Sequence, residues 1–106
     1  MGFEHGLSFE PALNSSTLQH LLSCLKSPST WLLIQAEQKE ESHLLSYAYG
    51  VGTPLIWEED FLVDLSDQKI YLLIHTATGE QEQAVLAWLQ RCLHSSGLFK
   101  AELQEL

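Results

Sequence analysis

The chain has 106 residues, and its 14 acidic and 5 basic side chains give a formal net charge of −9. A surface of this sign repels nucleic acid and anionic membranes and attracts basic proteins, so nucleic acid and membrane are excluded as expected partners. Hydrophobic residues make up 45%, which is ordinary for a folded domain, and no apolar run approaches the length of about eighteen residues that a membrane helix needs.

The length and the N-terminus predict the number of domains and the location of the protein. No linker or repeat divides the chain, so residues 1–106 are expected to form one domain. Residues 1–5 lack the basic and apolar regions of a secretory signal, and we therefore expect a cytoplasmic protein.

The first element in chain order is a short strand within residues 3–10, where Leu7 and Phe9 alternate with polar residues before Pro11. A helix follows, because residues 14–16 offer N-cap oxygens and a leucine face repeats with helical spacing. The helix is expected to end at Ser27-Pro28. Its leucine face consists of Leu18, Leu21, Leu22 and Leu25.

Two strands joined by a hairpin are predicted next. The apolar run Thr30–Ala36 is typical of a central strand covered on both faces, or of one covered on one face and capped by long side chains on the other. Residues 38–42 are polar and of hairpin length, and His43–Tyr49 alternates as the returning strand.

A second hairpin is predicted between residues 61 and 76. The segment 55–66 also fits a helical turn, but we favour a strand beginning near Phe61 because Lys69–Thr76 is clearly another strand. Residues 66–68 are expected to form the turn between the two strands.

The last third predicts a second helix and a final strand. Thr78 and Gln81 have the spacing of a capping box, and Gly97 is the expected residue beyond the C-terminus of the helix. Residues 98–106 then alternate between apolar and polar side chains, which predicts a strand with one solvent-exposed face. The buried helix face is expected to comprise Val85, Leu86, Trp88, Leu89, Cys92 and Leu93.

These elements give the order β-α-β-β-β-β-α-β and an α+β fold. We expect one mixed or mostly antiparallel sheet of about five to six strands, with both helices packed on one face. Cys24 and Cys92 fall on the apolar sides of the two helices. We expect buried free thiols there, and the alternative of a disulfide between the helices is opposed by a reducing compartment.

No sequence motif predicts a cofactor or a metal site. The five histidines form no metal-ligand pair, and no phosphate-binding loop or nucleophile motif is present. His75, at the end of a central strand, is the best candidate for an acid–base residue, with Asp64 or Asp67 as its acid. A hydrogen-bonded structural histidine is the more common case, so we do not expect an enzyme.

One segment suggests a binding surface. Its residues are an aromatic side chain and the five acids that follow it: Trp57, Glu58, Glu59, Asp60, Asp64 and Asp67. With Trp31, Tyr47 and Tyr49 nearby, the composition is that of a protein-binding patch, with aromatic anchors inside a charged rim. The alternative is that these aromatic residues, Trp57 excepted, belong to the core.

The sequence therefore favours a small protein-binding inhibitor of the immunity or antitoxin kind, which neutralises a basic protein partner after electrostatic steering. The first alternative is an adaptor or a secretion-chaperone-like assembly subunit, with a homodimer formed through the strand at 98–106. The second alternative is a small enzyme that uses His75.

Overall fold

The structure is a computed structural model that describes residues 3–9, 13–50, 59–66, 68–75, 78–98 and 102–105. Its order of elements and its α+β class are the predicted ones. The elements are β1 (Phe3–Ser8), α1 (Ser15–Lys26), β2 (Leu32–Gln38), β3 (His43–Ala48), β4 (Phe61–Leu65), β5 (Lys69–Ile74), α2 (Gly79–Ser95) and β6 (Glu102–Glu105).

The strands form one sheet in the order β2-β3-β4-β5-β1-β6, and every pairing between neighbours is antiparallel. Strands β2 to β5 follow one another as a meander. β1 then lies between β5 and β6, so the described sheet has β2 at one edge and β6 at the other.

Both helices begin at the caps that the sequence predicts. The Asn14 side chain accepts a hydrogen bond from the Thr17 backbone N–H at 2.8 Å. At α2, the Gln81 N–H donates to the Thr78 hydroxyl at 3.1 Å, and the Gln81 side chain accepts from the Thr78 N–H at 2.9 Å. Gly97 follows α2 with a φ of +83°, which glycine adopts without steric cost. Within the described part of the chain, neither helix is long and apolar enough to cross a membrane.

The core lies between the sheet and the two helices. Every second residue of β4 and β5 is buried, and the leucine face of α1 and the predicted face of α2 pack against them. We call this side of the sheet the helix face and the opposite side the open face. The Tyr47 hydroxyl of β3 donates to the Leu25 carbonyl oxygen of α1 at 2.6 Å, which fixes the end of that helix to the sheet.

The position of β2 differs from the prediction of a central strand. β2 is an edge strand, none of its residues is buried, and the side chains of Leu32 and Ile34 are 42% and 46% exposed. The apolar run Leu32-Leu33-Ile34 correctly predicted a strand. It could not give the strand order, because that order depends on which segments pair elsewhere in the chain.

The expectation of free thiols is also corrected. Cys24 of α1 and Cys92 of α2 form a disulfide, with their Cα atoms 5.8 Å apart. The helices lie side by side on the helix face, which brings the two apolar positions to bridging distance. The sequence placed each cysteine on the correct helix face, but the contact between the helices is a feature of the tertiary structure.

Candidate protein-binding face

The structure describes half of the residues that the sequence predicts as a binding surface. Glu59, Asp60 and Asp64 are described, and they flank or belong to β4. The predicted site residues Trp57, Glu58 and Asp67 lie outside the described residues, so their part in the site stays a prediction.

The burial and hydrogen bonds of Asp60 indicate that it stabilises the fold. Its side chain is buried, with the residue only 5% exposed, and its carboxylate accepts a hydrogen bond from the Tyr49 N–H at 2.8 Å. Its backbone N–H donates to the Tyr47 carbonyl at 2.8 Å, and its carbonyl accepts from the His75 N–H at 3.0 Å. Asp60 therefore joins the ends of β3, β4 and β5, and we do not place it on the accessible binding surface.

Asp64 lies on the open face in the middle of the sheet. It is in register with Leu44 on β3 and with Tyr71 on β5, and its side chain is half-buried. Burial, followed by the hydrogen bond and negative charge of Glu4, raises the pKa of Tyr71. The open face therefore carries carboxylates on β1 and β4 on the two sides of β5.

His75 lies just beyond β5, as predicted for a residue at the end of a central strand. Its Nε2 atom is 3.1 Å from Oε1 of Glu59, and both side chains are mostly buried. The acid that the structure places beside the His75 ring is therefore Glu59. Among the described residues, no group of three or more histidine, cysteine or acidic side chains can hold a metal ion.

The aromatic residues near the acids divide between the core and its margin. The Tyr47 and Phe61 rings stack with centroids 4.8 Å apart, and Trp31 and Trp88 pack edge-on against this pair. All four are buried, so Trp31 and Tyr47 belong to the core, as the alternative interpretation held. Tyr49 is only partly buried. Burial, with the charges of Asp60 and Glu82, raises its pKa to about 12.

The open face has partly exposed apolar residues at its centre. Leu62 of β4 is in register with Ser46 on one side and with Leu73 on the other. Leu44, Leu62 and Leu73 are each half-buried, because both described helices pack on the other face of the sheet. Together with the acids around them, these residues form a surface with an apolar centre and an acidic rim.

Two depressions shape this face. One of about 310 Å³ is lined by residues of β2, β3 and β4, including Ile34, Glu37 and Leu62, and Glu59 lies at its margin. The other, of about 820 Å³, is lined by Asp64, Tyr71 and residues of the two hairpin turns. Both depressions contain carboxylates, and the larger one also contains Lys69.

Sequence reasoning missed the contribution of β2 to this face. The apolar run Thr30–Ala36 predicts a central strand, whereas the structure places Leu32 and Ile34 at the sheet edge, with Glu37 in register with Leu44. The signal that was available is the adjacency of an apolar run and the acidic segment 37–41. No family model, curated protein or solved structure matches the chain.

Proposed function

We propose that this protein is an acidic protein-binding domain, of the immunity or antitoxin kind, which neutralises a basic protein partner by covering part of it with the open face. The observation that carries the proposal is the composition of that face: half-buried Leu44, Leu62 and Leu73 lie among carboxylates, and the described helices leave them uncovered. Apolar residues inside a charged rim are the usual composition of a protein interface.

The charge of the chain supports the same function through association kinetics. A net charge of −9 attracts a basic surface from a distance of about 8–10 Å at physiological salt. The carboxylates of Glu4, Glu59 and Asp64 then direct the partner to the open face. No cofactor takes part in this function, because binding alone inactivates the partner.

A cytoplasmic location belongs to the proposal, and the Cys24–Cys92 disulfide is the observation against it. Disulfides are uncommon in reducing compartments. Alkylation of thiols in cells quenched in acid and then denatured tests the location, because Cys92 is buried in the folded protein. Modification of both cysteines is expected for a cytoplasmic protein, and thiols that react only after treatment with dithiothreitol would place the protein in an oxidising compartment.

A second candidate function has one observation in its favour. β6 is the other edge strand of the sheet, so residues 102–105 lie where a neighbouring copy can add a strand. This position favours the alternative of a dimeric adaptor or a secretion-chaperone-like assembly subunit. Sedimentation of the purified protein separates the two functions, because an inhibitor of this kind is expected to be a monomer until it meets its partner.

The first experiment is a pull-down from an extract of the native cell at low salt, eluted with high salt and identified by mass spectrometry. The expected result is one basic protein that salt releases. Its association rate with purified Asp64→Lys protein should fall severalfold, because reversal of an open-face charge weakens steering.

The matched control is Glu80→Lys, which makes the same charge change on exposed α2, away from the open face. Its association rate should stay closer to that of the unchanged protein. Equal slowing by both variants would show that net charge alone attracts the partner. Recovery of the bait alone would contradict the inhibitor function.

A further inference from the structure

We infer that β2 binds an extended basic segment of the partner as an additional antiparallel strand of the sheet. The inference rests on the proposed function and specifies how the partner is bound. Within the described sheet, β2 pairs only with β3, so the backbone N–H and C=O groups on its outer side have no strand partner. Such an edge offers hydrogen bonds to any extended chain of suitable side-chain chemistry.

The exposure of β2 is consistent with the addition of a further strand beside it. β4 and β5 bury alternate residues and β3 buries Leu45, Tyr47 and Ala48, whereas β2 has exposed residues on both of its faces. Leu32 and Ile34 are the exposed large hydrophobic residues of the described chain. An apolar edge of this kind is one that monomeric proteins avoid, since it promotes pairing with another chain.

A bulge in β2 shapes the surface that the added strand would contact. The register shifts between Leu33 and Gln35, so that Ile34 and Gln35 both line the depression on the open face. On the other face, a smaller depression of about 180 Å³ lies between β2, β3 and α1, where Leu22, Ala36 and Leu45 form its apolar lining. An added strand would direct alternate side chains toward these two depressions.

The charges beside the two depressions determine the chemistry of the segment. Glu37 and Glu59 line the open-face depression, which favours lysine or arginine there. The stems of these side chains can cover Ile34 while their charged ends reach the carboxylates. The smaller depression is lined by both Lys26 and Glu37, whose charges offset each other, so its apolar lining favours apolar side chains on that side. The expected segment alternates basic and apolar residues.

Charge also argues against a second copy of this chain as the occupant. Pairing of two β2 strands would bring together two open-face depressions that are each lined by Glu37 and Glu59. Each copy has a net charge of −9, which further opposes self-association. A basic partner strand brings no like charges to the edge and is attracted by the net negative charge of the chain.

The test measures binding of a synthetic peptide to the full chain by fluorescence anisotropy. The peptide has 7 residues, as many as β2, and alternates lysine with valine. A derivative with N-methyl groups on alternate residues keeps the charges and loses the backbone donors. Ile34→Lys places a charge in the edge strand, and Ala87→Lys on the exposed side of α2 is the control with the same charge change.

The inference predicts that the peptide binds and that N-methylation weakens binding by about tenfold or more. Ile34→Lys should weaken binding by a similar factor and Ala87→Lys much less, with Leu32→Lys as an independent variant of the edge. Circular dichroism of each variant shows whether it keeps its fold.

Three results would overturn the inference. Equal binding of the methylated peptide would show a purely electrostatic contact on the open face and would leave the proposed function intact. Absence of peptide binding would exclude strand addition, while the proposed function would still be decided by the salt-released partner. Dissociation of a dimer by Ile34→Lys would show that a second copy occupies β2.

Discussion

The carboxylate of Asp60 accepts a hydrogen bond from the backbone N–H of Tyr49 at 2.8 Å, across the gap between the end of β3 and the start of β4. Asp60 and Asp64 therefore have different roles, although both belong to one acidic stretch of the sequence. The first acid stabilises the fold, and the second lies on the open face, where a partner can reach it.

This difference predicts opposite behaviour on substitution. Asp60→Ala removes the acceptor of a part-buried backbone N–H and should lower the free energy of unfolding by about 1–3 kcal/mol. Asp64→Ala, on the open face, should change it by about 0.5 kcal/mol or less. Urea denaturation of both variants measures the difference. Equal losses would contradict a structural role for Asp60.

Buried tyrosines predict a loss of stability in alkali. Burial raises the pKa of the Tyr47 hydroxyl above its ordinary value of 10.0, and the pKa of Tyr49 is about 12. Below pH 10 the tyrosine hydroxyls are protonated in both the folded and the unfolded state. Above it the unfolded chain ionises first, so the free energy of unfolding should fall by up to about 1.4 kcal/mol per pH unit for buried Tyr47, and by less for the partly exposed Tyr49, whose charge solvent screens.

Tyr47→Phe tests this pH dependence. At neutral pH the variant should lose about 1–2 kcal/mol, because the Leu25 carbonyl loses its 2.6 Å donor. Its stability should then decline less steeply above pH 10 than that of the unchanged protein. Parallel pH profiles for the two proteins would show that Tyr47 does not carry the effect.

The disulfide should make stability sensitive to reduction. Cys24 and Cys92 are separated by 68 positions in sequence, and cross-linking over a loop of this size typically stabilises a protein by about 2–4 kcal/mol. Thermal unfolding with and without dithiothreitol measures the effect. The double variant Cys24→Ala, Cys92→Ala is the control, since a reductant should leave its midpoint unchanged.

Exposed and buried apolar residues of neighbouring strands should respond differently to truncation. Ile34→Ser, at the open edge, should change the free energy of unfolding by about 0.5 kcal/mol or less. Leu45→Ala, in the buried part of β3, should cost about 2–5 kcal/mol. A large loss for Ile34→Ser would mean that its side chain stabilises the fold, which would weaken its assignment to partner binding.

The elements that sequence predicted well are those whose signals are local. Thr78 and Gln81 specify the start of α2 by themselves, and the period of Val85, Leu89 and Cys92 specifies its buried face. The alternation in β4 and β5 likewise depends only on adjacent residues, and the structure buries every second residue of both strands.

The features that sequence did not predict depend on distant parts of the chain. The edge position of β2 follows from the insertion of β1 between β5 and β6, far from β2 in the sheet. The burial of Asp60 follows from its contacts with Tyr49 and His75, and no local pattern distinguishes it from Asp64. Of the predicted site acids, the structure places Asp64 on the open face and buries Asp60, and the sequence analysis did not include the apolar edge of β2 in the site.

The placement of β1 has a consequence for the order in which the molecule folds. Strands β2 to β5 pair with successive neighbours, whereas Phe3 lies opposite Ile74 and Ser8 lies opposite Glu102. Contacts between such distant residues form slowly because long loops must close first. β1 is therefore expected to join the sheet only after β5 has been synthesised, and β6 can join only through its pairing with β1.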